Sequence, residues 1–240
     1  MTRLQLLFII CTTLLFTSCG ENDTPAAATE ALIDVGEMRS YNDSLVAVIR
    51  PLIKSGDLIL RNGRDFSSEQ VREMSKEDKS YSHGGIAIVE NGEILIYHVE
   101  PDFYYKNDKV RKEPLDSFIS INHNKGFALA RYDLKEEEVK GLLQYMETQY
   151  QNKVSFDIGF DLRSNDKMYC SEMIMKGLRA STNNRIQIEI QRLTDKSKFK
   201  IIKQYFRLQE KDIKNREIIP IDRLYLHPSC KLLHRYSYSQ

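Results

Sequence analysis

The chain has 240 residues, enough for one domain with a sizeable core. It is 41% apolar and 29% charged with a net formal charge of +1, so it carries no electrostatic claim on nucleic acid or on an anionic lipid surface. No repeat, coiled coil, phosphate-binding loop or dinucleotide fingerprint is present, and no Cys/His cluster has zinc-finger spacing, so no cofactor and no metal are expected.

In chain order, residues 1–18 form a secretory leader, with Arg3, an apolar run from Leu4 to Phe16 and small polar residues after it. The run is short of the roughly 20 residues that a membrane-spanning helix requires. Phe16-Thr17-Ser18-Cys19 resembles the lipobox of bacterial lipoproteins, which implies acylation of Cys19 and attachment to a membrane of the bacterial cell envelope. Phe in place of the commoner Leu leaves ordinary leader cleavage open. Residues 19–30 are small and polar and suit a tether, and 31–240 make one domain. Losing Arg3 with the leader balances acidic and basic residues.

A helical pattern runs from Thr29 to Arg50 and stops at Pro51, and Ser55 to Gly63 reads as a strand. Asp65 to Lys79 is polar and reads as a short surface helix or a mobile loop beside a cleft. His83 to Glu90 and Glu93 to Glu100 are strands joined by Asn91-Gly92, a two-residue hairpin signal. Pro114 to Ile119 gives one helical turn, Phe127 to Tyr132 a strand, and Leu134 to Tyr150 an amphipathic helix. A further helix begins at Tyr169, another is suggested over Ile188 to Leu208, and the segment beyond Arg216 reads as a closing strand with turns.

A tight turn at Asn91-Gly92 sets Gly85 opposite His98 and His83 opposite Glu100. Because side chains alternate along a strand, His83, His98 and Glu100 then share one face. One ring nitrogen of a histidine held in this way can meet a reacting group while an acceptor fixes the other. The competing reading is a satisfied structural histidine. Gly84 and Gly85 leave room for a substrate backbone to approach. Cys170 sits at a helix start, where exposed amides favour a thiolate. An inert buried thiol, or a disulfide with Cys230, are its alternatives.

"GDLILR", "YSHGGIAIVENGEILIYHVE", "PLDSFI", "FDIGF" and "YCSEMI", in this order, resemble the permuted papain-like YiiX/YaeF-like group of the NlpC/P60 superfamily, with a more distant likeness to lecithin retinol acyltransferase enzymes. The resemblance implies an α+β, circularly permuted papain-like fold, an antiparallel sheet packed against helices. It implies a cysteine-dependent amidohydrolase or peptidase with Cys170 as nucleophile, His83 as base and His98 as orienting residue, where the nearer relatives look to have glutamate. Glu100 is the alternative orienting residue. The Cys170 backbone N–H would serve as oxyanion donor, with Tyr81 as a second donor or substrate contact. The substrate would be a small peptide or N-acyl compound. A lipid acyltransferase or thioesterase using the same pair, and an envelope lipoprotein that binds without turnover, are the other readings. Oligomeric state is left open.

Overall fold

The computed structural model describes residues 35–101, 108–193 and 216–238. The leader, Cys19, the tether and much of the segment suggested as a helix over Ile188 to Leu208 lie outside the described residues.

Helix α1 (Val35–Ile49) ends where Pro51 enters a single 3-10 turn. Strand β1 (Leu58–Gly63) follows, then α2 (Phe66–Met74), whose start is capped by the Asp65 carboxylate accepting from the Ser68 amide. The polar stretch after β1 is therefore a helix, set by its cap and not by an apolar stripe. Strands β2 (His83–Glu90) and β3 (Glu93–His98) form the hairpin, with Asn91 at φ 50° and Gly92 at φ 82°, the left-handed pair that this turn requires. Its register pairs Ile86 with Tyr97 and Glu90 with Glu93, as the turn length dictates.

Strand β4 (Arg111–Pro114) runs into the single turn α3 (Leu115–Phe118), and β5 (Asn124–Tyr132) leads to α4 (Glu136–Gln151). Two short strands, β6 (Ser155–Phe156) and β7 (Lys167–Met168), pair in parallel ahead of α5 (Cys170–Ser181). Strands β8 (Gln191–Arg192) and β9 (Glu217–Ile218) pair with each other, so the start of the suggested 188–208 helix is extended backbone held by a distant partner. A helical turn, Asp222–Tyr225, precedes β10 (Cys230–Ser237).

The main sheet is antiparallel in the order β10-β5-β1-β2-β3-β4. Helices α4 and α5 pack one face through Leu142, Met146, Met173, Ile174 and Leu178 against Leu58, Leu60 and Ile86. On the other face Ile59, Ala87, Ile94 and Ile96 meet Val46 and Ile49 of α1 and Phe118 of α3. This is an α+β architecture, and its two cores follow strand alternation: neighbouring residues of β1 and β2 belong to opposite faces.

Candidate metal centre

His83 starts β2 and His98 ends β3, so strand parity brings both rings to the face that carries Ile96 and Phe118. Nε2 of His83 lies 3.1 Å from Nδ1 of His98, and the two rings meet edge to face. Phe118 packs against both, which excludes water from their flanks. Strand β3 ends at His98, so Glu100 is not paired across from His83. Its carboxylate instead accepts from Nη2 of Arg61, the residue that β1 pairs with His83, while Nη2 of Arg111 lies 3.3 Å from its other oxygen.

Behind His98 stands Glu113 on β4, with its Oε2 2.9 Å from the His98 Nε2. Burial pushes His83 well below the usual imidazole range, helped by Arg61, His98 and Arg111. Burial also lowers His98, against the pull of Glu113 and Glu100. Both imidazoles are therefore neutral near pH 7, each with one bare ring nitrogen.

One donor atom from each of His83, His98 and Glu100 lies within 4.8 Å of the others. Two neutral imidazoles and a carboxylate form a donor set suited to zinc and its neighbours, with a coordination position left for a ligand. Arg61 and Arg111 do not exhaust Glu100, because an ionised carboxylate offers about four lone pairs and the arginines engage one on each oxygen. The residues present thus fit a divalent transition metal. His83 and Glu100 face a cavity of about 650 Å³, whose other walls include Phe66, Phe156 and Ile221. Helix α2 supplies one rim of it, through Phe66, Val71 and Met74.

Cys170 lines the same cavity, with the Gly84 amide at its sulfur. Helix α5 packs on the Leu58, Leu60 and Ile86 face, whereas His83 lies on the Ala87 face, and among the described residues no hydrogen bond joins the sulfur to His83. Burial pushes the Cys170 thiol up to about 11, although the Gly84 and Ser171 amides favour its thiolate. The helix start is thus present while the activated thiol is not. Cys170 and Cys230 are both free thiols, so no disulfide joins them.

Tyr81 packs edge to face on Tyr225 with the Arg235 guanidinium over its ring, and it is not among the described cavity-lining residues. Tyr169 does line the cavity, its hydroxyl accepting from the Ile219 amide at 2.8 Å. The expected space beside Gly84 and Gly85 is filled by the protein itself. A Cβ on Gly84 would sit 3.3 Å from Ile221 and Leu60, and one on Gly85 would sit 2.4 Å from Ile96.

Residues 52–216 match the family model of the permuted papain-like amidase enzyme, YaeF/YiiX, C92 family. The chain belongs to this family and has its permuted papain-like fold, related to NlpC/P60 proteins. A crystal structure described as the metalloprotein YiiX from Escherichia coli O157:H7 superposes with a TM-score of 0.63 at 18% identity, covering 77% of this chain and 98% of that one. No curated protein matches the chain.

These findings correct the functional reading of the sequence. A cysteine-dependent amidohydrolase or peptidase, or an acyltransferase or thioesterase on the same pair, requires a thiol that a histidine deprotonates. The structure instead gathers His83, His98 and Glu100 as metal-type donors, and burial pushes the pKa of the Cys170 thiol up. The donor set escapes zinc-spacing rules because hairpin register brings the two histidines together and Arg61 and Arg111 hold Glu100 beside them, with no short local motif.

Proposed function

We propose that this protein binds a divalent transition metal through His83, His98 and Glu100, beside the cavity. The observation that supports this reading is the convergence of the three donors within 4.8 Å, two of them buried imidazoles. The description of the YiiX structure as a metalloprotein is in accord with it. In such a donor set a divalent ion supplies Lewis acidity toward a carbonyl or phosphoryl oxygen. Arg61 and Arg111 hold the Glu100 carboxylate in place, Phe118 keeps the two rings dry, and the cavity admits a small ligand next to His83.

The test is elemental analysis of the purified, dialysed protein followed by zinc titration. A stoichiometric ion is expected, and His83→Ala and His98→Ala should each lower zinc affinity at least about a hundredfold, beyond the loss typical of an outer partner. Wild-type protein that takes up no zinc, or variants that take it up equally well, would overturn the reading.

The address of the protein is a separate proposal. Among the described residues no helix is long and apolar enough to cross a membrane. We propose that the leader ends before Cys19 and that acylation of this residue tethers the domain to a membrane of the envelope, supported by Phe16-Thr17-Ser18-Cys19. Metabolic labelling with an alkyne fatty acid should mark the wild type and not Cys19→Ala.

A further inference from the structure

We infer that Glu113 is the positioning carboxylate of this centre, holding His98 as the tautomer with hydrogen on Nε2 and so presenting the Nδ1 lone pair to the ion. The inference rests on the metal reading above. In the register of β3 with β4, Glu113 pairs with Ile96 and Arg111 with His98, so the Glu113 side chain lies diagonally beside His98 on the same face. Its Oε2 is 2.9 Å from the His98 Nε2, an ion-pair distance whose angle falls short of a hydrogen bond, and among the described residues neither atom has a hydrogen-bond partner.

A carboxylate can only accept, and a bare Nε2 facing it would set lone pair against lone pair at that distance. The hydrogen is therefore on Nε2, and Nδ1 is left bare toward His83. In the metal-free protein Nδ1 accepts from the His83 Nε2–H across 3.1 Å. Two nitrogens bound to one tetrahedral zinc stand roughly 3.3 Å apart, so the rings already have the spacing of a shared ion, and His83 has only to carry its hydrogen on Nδ1 in place of Nε2. Glu113 itself is not one of the three grouped donors. Its effect on an ion is exerted through the ring that it holds, an arrangement known for metal-bound histidines generally.

The test pairs two readouts. In metal-free protein labelled with 15N-histidine, two-bond proton–nitrogen spectra should show His98 with hydrogen on Nε2. Glu113→Leu should abolish that single tautomer, whereas Glu113→Gln, which keeps an acceptor oxygen, should preserve it. Zinc affinity should fall about ten- to a hundredfold in Glu113→Leu and much less in Glu113→Gln. Hydrogen on Nδ1 in the wild type would overturn the inference with no variant needed, as would unchanged zinc affinity in a folded Glu113→Leu protein. A Glu113-dependent tautomer in a wild-type protein that binds no zinc would uphold the positioning role and sink the metal reading alone.

Discussion

Cys170 shows how a residue can satisfy a local rule and fail a global one. Its place at the first turn of α5 is the setting in which thiols become acidic, yet the surrounding core withdraws solvent and the pKa rises to about 11. Near neutral pH the raised pKa leaves the thiolate a small minority. Iodoacetamide should therefore label Cys170 more than ~100-fold slower than an unperturbed cysteine peptide, as followed by mass spectrometry. Rapid, selective labelling would show that the folded protein does activate this sulfur. Helix-start chemistry is legible from Tyr169-Cys170-Ser171-Glu172 because it depends on neighbours in sequence. Burial is made by the assembled fold, in which Ile219, about fifty residues away, is tied to the start of α5 through Tyr169 and Ser171, and no local pattern announces it.

At the scale of elements, the β2–β3 hairpin was the most legible part of the molecule. Asn91-Gly92 fixes the register, the register fixes the face, and the meeting of His83 with His98 follows. Glu113 was not legible, because the connection from β3 to β4 carries no tight-turn signature and the Ile96–Glu113 pairing is made only by the assembled sheet. The glycines after His83 are explained by the assembled sheet as well: neighbouring strands and Ile221, not an incoming ligand, occupy the space beside them. Gly85→Ala would place its methyl 2.4 Å from the Ile96 Cγ2 and 2.8 Å from the Tyr97 carbonyl oxygen. The strands must part, so the variant should lose about 1–3 kcal/mol of stability and bind zinc more weakly because His98 faces this position. Urea denaturation and zinc titration check both effects; wild-type values for each would show that the hairpin has slack.

For the molecule as a whole, stability should vary with pH through Glu172. This carboxylate is fully buried at the start of α5, and burial pushes it up to about 7 against the opposing pull of Lys176, whose Nζ is 2.7 Å away. The folded state thus holds a proton that the unfolded chain releases near pH 4.5. Its contribution is complete below 4.5 and is lost as pH rises through 7, by up to ~3 kcal/mol. Glu172→Gln cannot titrate, so its stability relative to wild type should increase between pH 5 and 7.5 in paired urea melts. A constant difference across that range would rule out the raised pKa.

The short turn at Asp222–Tyr225 also bears on the metal donors. The buried Asp222 carboxylate accepts from the successive amides of Lys76, Glu77 and Asp78, at 3.1, 3.0 and 3.4 Å, and so clamps the segment that leads into His83. Ribosomes make proteins in one direction, and roughly 145 residues separate the clamp from the amides it grips. A nascent chain therefore displays all three donors long before the segment beside them can be fastened. Fastening of the segment that leads into His83 is therefore a late step, made only after β2, β3 and α5 have all emerged.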